Sequence, residues 1–119
     1  MAKILVIDDS SLTRTMTGHI LKGLGHEPIF AVNGEEGLKL AAEEKPECII
    51  LDLLLPGMSG KEILTALQEK KIDIPVAIVT ANTQDIVKEE CLKLGAVCVV
   101  YKPVKKEELE KVINKLLKV

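Results

Sequence analysis

Four short segments of the chain are apolar at nearly every position: KILVID (3–8), CIILD (48–52), PVAIVTA (75–81) and AVCVVYKP (96–103). None alternates polar with apolar residues, so none carries the mark of a strand with one wet face. Near-continuous Val, Ile and Leu runs of this length predict strands covered on both faces, as in a parallel sheet. A fifth segment, EPIFAV (27–32), has Pro28 near its start. Proline removes a ladder donor, so this segment suits an edge strand.

The intervening segments carry helical spacing. Leu12, Met16, Ile20 and Leu24 recur every four residues and predict a helix with those side chains inward. Leu38, Ala41 and Ala42 form a smaller stripe, with Asn33 as N-cap and Glu36 three residues later. Ser59 and Glu62 make an S-x-x-E capping box ahead of Ile63, Leu64 and Leu67. Ile86, Val87, Cys91 and Leu94 follow, and Gly95 supplies a stop. Leu109, Val112, Ile113, Leu116 and Leu117 repeat at three- and four-residue steps. The order is strand then helix, five times over. Parallel strands joined by right-handed helical crossovers solve this economically, giving an open α/β sheet with helices on both faces. No linker or repeat interrupts the pattern, so residues 1–119 are expected to form one domain.

Composition narrows the function. At 119 residues the chain has room for one compact core. A net charge of −2 offers no basic face for nucleic acid. With no Trp, one Tyr and one Phe, stacking platforms for bases or flavins are nearly absent. The apolar runs are far shorter than a membrane span and the N-terminus lacks a signal-peptide pattern, so a cytoplasmic protein without a membrane partner is expected. Cys48, Cys91 and Cys98 show no metal-ligand spacing and are expected as reduced, mostly buried thiols. His19 and His26 stand alone and read as structural residues.

Ligands in open parallel sheets bind at the carboxyl ends of the strands, near a topological switch point. At those ends stand Asp8 and Asp9, then Asp52, then Thr80 with Ala81, then Lys102 with Pro103. Two unit charges about 4 Å apart repel by roughly 4 kcal/mol at an effective dielectric near 20. A crowd of three acids must protonate one member, take up a cation or bind a divalent metal. Lys102 supplies one charge, and a hard, oxygen-seeking ion such as Mg²⁺ suits the remainder. Acids, metal, ammonium and hydroxyl together make a receptacle for a phosphoryl group, with one carboxylate as nucleophile. Taken singly, Asp9 before SSLT reads as a turn former or helix cap, and Lys-Pro as a strand boundary. The conjunction on separate strand tips favours the functional reading.

These pieces, ILVIDDS, ILDLLLPGMSG, IVTA, LGA (94–96) and KP (102–103), resemble the receiver domain of two-component response regulators over essentially the whole chain. The resemblance implies a flavodoxin-like, doubly wound (βα)5 fold whose five-stranded parallel sheet has the order 2-1-3-4-5. It implies that Asp52 is the phosphoacceptor for a sensor histidine kinase. Asp9, Asp52 and the backbone carbonyl of Leu54 would coordinate Mg²⁺, with Asp8 assisting directly or through water. Lys102 would pair with the phosphoryl oxygens, Thr80 would hydrogen-bond to them, and the Ala81 N–H would be a further donor. A cis Lys102–Pro103 bond is also implied. Such a protein is a phosphorylation-switched signal carrier, not an enzyme beyond its own phosphorylation and dephosphorylation. Output would run to a downstream protein target or a phosphotransfer protein, as in stand-alone chemotaxis-type receivers. The responding face, also the place for a homodimer, would be the fourth helix, fifth strand and fifth helix (segments 83–94, 97–101 and 105–117).

The chain also departs from the family pattern. Val99 stands where many receivers have a rotating aromatic, the only Tyr is Tyr101, and Val104 follows Lys-Pro in place of Phe. Leu54 occupies the position two after the acceptor, where its apolar side chain is expected to restrict the hydrolytic water. Three alternatives weigh less. A haloacid-dehalogenase-type phosphatase would need an Asp at Leu54 and a cap domain. A flavodoxin-like carrier would repel phosphate at Asp8 and Asp9, and neither GxGxxG nor GxxxxGK[ST] occurs. An interaction module that is never phosphorylated stays open as an alternative, with the retained acids, Thr80 and Lys102 arguing against it.

Overall fold

The computed structural model describes residues 2–118; of the expected 1–119 domain, residues 1 and 119 lie outside the described ones. Strands and helices alternate as β1 (Lys3–Ile7), α1 (Ser11–Gly23), β2 (Glu27–Ala31), α2 (Gly34–Glu44), β3 (Cys48–Asp52), α3 (Gly60–Glu69), β4 (Val76–Thr80), α4 (Asp85–Lys93), β5 (Cys98–Tyr101) and α5 (Lys106–Leu117). All four strand pairings are parallel and the sheet order is β2-β1-β3-β4-β5, the expected doubly wound arrangement. Every residue of β3 and β4 is buried, which explains why those runs are apolar up to their last residues, Asp52 and Thr80. β2, with Pro28, is the edge strand next to β1.

Successive strand residues face opposite sides, so the sheet divides the core in two. Leu5, Ile7, Ile49, Leu51, Ile78 and Val99 pack with Ala41 of α2, Ile63, Leu64 and Leu67 of α3, and Cys91 of α4. Ile4, Val6, Ile50, Ala77 and Val79 pack with Leu21 of α1 and Leu109, Val112, Ile113 and Leu116 of α5. The expected capping box of α3 is present in full between Ser59 and Glu62. Asn33 caps α2 through the Glu36 N–H, but the Glu36 carboxylate reaches the N–H of Val32 instead of the cap residue. Gly95 ends the α4 segment with φ of 107°, in the left-handed region. The thiols of Cys48 and Cys91 are buried and that of Cys98 is half-buried, all free.

Four apolar stripes are narrower than their spacing predicts. Leu12 and Met16 are 68% and 56% exposed, and α1 buries Gly18 and Leu21 instead. An i,i+4 string advances about 40° around the helix per step, so Leu12 to Leu24 fan across it rather than share one line. Ala42, Ile86 and Leu117 likewise face outward, beside the buried Ala41, Cys91 and Leu116. No helix among the described residues is long and apolar enough to cross a membrane.

Candidate functional site

Asp52 is the last residue of a fully buried strand, and the loop behind it is closed tightly. The N–H of Leu53 donates to the Val79 carbonyl at 3.1 Å, and the N–H of Gly60 donates to the Leu53 carbonyl at 2.8 Å. A Cβ at position 60 would stand 2.8 Å from Leu53 Cα, so only glycine permits this approach. The N–H of Leu54 turns back to Asp52 Oδ1 at 3.2 Å. The strand tip is therefore held by main-chain bonds on both sides, and the carboxyl has little freedom to wander.

Asp8 follows β1. Its N–H donates to the Ala31 carbonyl at 3.1 Å, and its Oδ1 accepts the Ser10 N–H at 2.9 Å. Ser10 in turn caps α1 through the Thr13 N–H. Lys102, directly after β5, places Nζ 3.2 Å from Asp8 Oδ2 and 3.2 Å from Asp52 Oδ2. Asp8 and Asp52 are buried, whereas Asp9 is exposed. One carboxylate oxygen from each of Asp8, Asp9 and Asp52 lies within 4.8 Å of the other two. Below them a cavity of about 360 Å³ continues between α1 and α5, lined by Met16, Ile20, Val104 and Leu109.

Burial pushes the Asp52 carboxyl above its ordinary pKa. Lys102 and the Leu54 N–H pull it down, and the neighbouring Asp8 charge adds to the rise. Burial alone would lower the Lys102 pKa, but Asp52 and Asp8 outweigh it and raise the ammonium above its usual value. One lysine cannot balance three acids. The donor set is all oxygen and includes no thiol or imidazole, which fits a hard divalent cation such as Mg²⁺. The Leu54 carbonyl accepts no hydrogen bond among the described residues and is free to serve as a ligand.

Thr80 belongs elsewhere. Asp52 pairs with Val79 in the register and Thr80 with Tyr101, so the Thr80 and Asp52 side chains rise on opposite faces of the sheet. The buried Thr80 hydroxyl accepts the Asn82 N–H at 3.0 Å, inside the loop leading to α4. The structure thus brings Asp8, Asp9, Asp52 and Lys102 together and leaves Thr80 beside them, bound to its own loop. Val99 is buried in the core, and Tyr101 is half-buried on the Thr80 face. The Lys102–Pro103 bond is cis, as expected. Sequence reasoning passed over Arg14, whose guanidinium donates to the Asp8 carbonyl at 2.8 Å. Its only signal was being the sole arginine in the chain.

A parallel sheet of order 2-1-3-4-5 with its polar cluster on the tips of β1 and β3 is a flavodoxin-like domain with its site at the topological switch point. Residues 4–114 match the family described as response regulator receiver domain. The chain is 36% identical to Protein PilH of Pseudomonas aeruginosa, with 98% of each protein covered. It is 35% identical to the Alkaline phosphatase synthesis transcriptional regulatory protein PhoP of Bacillus subtilis, where 98% of this chain aligns with 48% of that protein. The chain therefore spans about half the length of several curated relatives. Among solved structures, the chemotaxis response regulator CheY4 of Vibrio cholerae has a TM-score of 0.91 at 33% identity, covering 98% of this chain and 99% of that one. This chain belongs to the response regulator receiver family, the phosphorylation-switched signalling domains of two-component systems. Such domains interact with histidine kinases and downstream effectors.

Proposed function

We propose that Asp52 accepts a phosphoryl group from the phosphohistidine of a sensor kinase and that the modified chain signals to a protein partner in the cytoplasm. The observation that carries this is the convergence of Asp8, Asp9 and Asp52 within 4.8 Å, with Lys102 bridging two of them. An Asp52 carboxylate oxygen attacks phosphorus, the P–N bond to imidazole breaks, and the leaving nitrogen keeps the electron pair. Lys102 turns from the carboxylates toward the incoming phosphoryl oxygens and stabilises their charge. Asp9, Asp52 and the Leu54 carbonyl would hold Mg²⁺, with Asp8 assisting. Bound there, the ion neutralises charge on the acids and on the transferring group. Thr80 exchanges its bond to Asn82 for one to the phosphoryl group, joined by the Ala81 N–H, and draws the α4 loop with it. The domain occupies residues 1–119 and catalyses only its own phosphorylation and dephosphorylation. Its responding surface is α4, β5 and α5, which is also the face on which a homodimer would form.

Incubation with a small phosphodonor and Mg²⁺, followed by intact mass, tests this. The expected result is a gain of one phosphoryl group that is abolished by chelator and absent in Asp52→Asn. Labelling of Asp52→Asn at the wild-type level would reject the assignment. Leu54, 65% exposed beside the acceptor, limits the approach of hydrolytic water. Leu54→Asn should shorten the lifetime of the phosphoryl group, and an unchanged decay rate would remove that role.

A further inference from the structure

We infer that Arg14 is a positioning residue for the metal end of the site: by holding the Asp8 carbonyl it sets the place of the Asp9 carboxylate. This rests on the reading of Asp9 and Asp52 as metal-binding acids. Arg14 lies in the first turn of α1, and its Nη1 donates to the main-chain carbonyl of Asp8 at 2.8 Å. Asp8 stands just past the end of β1, and among the described residues its carbonyl has no main-chain partner. Arg14 supplies the partner that the sheet does not.

The Asp8 carbonyl and the Asp9 N–H belong to one planar peptide unit. Fixing the direction of that oxygen fixes the point from which Asp9 departs. Asp8 needs no such help, because Ala31, Ser10 and Lys102 already hold its backbone and both carboxylate oxygens. Asp9 is exposed, and its side chain makes no hydrogen bond among the described residues. The hold on the preceding peptide is therefore what limits where its carboxylate goes. The Arg14 N–H also donates to the Ser10 carbonyl at 3.0 Å, so the donor is anchored to the same loop it braces.

A cation beside a metal site has two opposing effects. As a bare charge it repels Mg²⁺, and removing it would tighten binding. As a brace it pre-organises a ligand, and removing it weakens binding. Groups that orient metal ligands from behind typically change affinity by about 10–100-fold when lost.

The sign separates the two. Mg²⁺ is titrated calorimetrically into the metal-free, unphosphorylated chain as wild type, Arg14→Met and Arg14→Lys. Methionine keeps the apolar stem without donor or charge, and lysine keeps a donor. Arg14→Met should bind Mg²⁺ about tenfold more weakly, and Arg14→Lys should recover most of that loss. Should Arg14→Met prove too unstable to titrate, Arg14→Gln, also neutral, is decided by the same sign. Binding by a folded neutral variant as tight as wild type, or tighter, overturns the brace and leaves the metal assignment standing. Absence of Mg²⁺ binding by the wild type itself overturns the metal assignment, and the brace with it.

Discussion

Helices α3 and α4 cover the same face of the sheet, yet they are held in different ways. α3 starts from a complete capping box at Ser59 and buries Gly60, Ile63, Leu64 and Leu67. α4 starts at Gln84 without a side-chain cap and buries only Cys91. Its ties to α3 are peripheral: Lys61 to Glu90 at 2.9 Å and the Gln68 amide to the Leu94 carbonyl at 2.8 Å. α3 follows the loop from Asp52, and α4 follows the loop from Thr80. The end of the site that carries Asp52 is tied down by main-chain bonds and a fully capped helix, and the end that carries Thr80 leads into a helix with no side-chain cap and one buried residue. Regions with few buried contacts open at low free energy, so α4 is expected to open more readily than α3.

The largest expected difference is in the core. Ile63→Ala should cost about 3 kcal/mol, because it opens a cavity under α3. Ile86→Ala, on an α4 residue that is 65% exposed, should stay within about 0.5 kcal/mol. Denaturant unfolding measures both, and similar losses would break the contrast. Next come the caps. Ser59→Ala should destabilise by about 1 kcal/mol, whereas Gln84→Asp should stabilise by about 0.5 kcal/mol by supplying the missing acceptor. A loss of stability in Gln84→Asp would show that α4 has no unmet need for a cap.

The smallest effect in free energy is the sharpest in resolution. Cys48 on β3 and Cys91 on α4 are both fully buried, and burial raises the pKa of each thiol, that of Cys48 to about 12. Under native conditions a thiol reagent should modify the half-buried Cys98 first, then Cys91 through local opening of α4, and Cys48 last. Gln68→Ala should speed labelling of Cys91 and leave Cys48 unchanged. Equal rates for Cys91 and Cys48 would mean that α4 opens only when the whole domain does.

What the sequence revealed follows the same division. Strands buried on both faces announce themselves as unbroken apolar runs, and their last residues, Asp52 and Thr80, were legible as strand tips. The capping box of α3 is local chemistry and could be read directly. The inward faces of α1 and α4 could not, because a partly covered helix carries apolar residues outside its buried line. Leu12, Met16 and Ile86 are such residues. The register that puts Thr80 on the face opposite Asp52 depends on how strands pair, which spacing along the chain does not encode. Nor does spacing show Arg14 reaching back from its helix to the Asp8 carbonyl.

Locating the modified residue tests Asp52 as the acceptor most directly. After treatment with a small phosphodonor and Mg²⁺, borohydride reduction of the acyl phosphate converts the modified aspartate to homoserine, which peptide mass mapping locates. Conversion is expected at Asp52 and at no other acid. Conversion at Asp8 or Asp9, with Asp52 untouched, would contradict it.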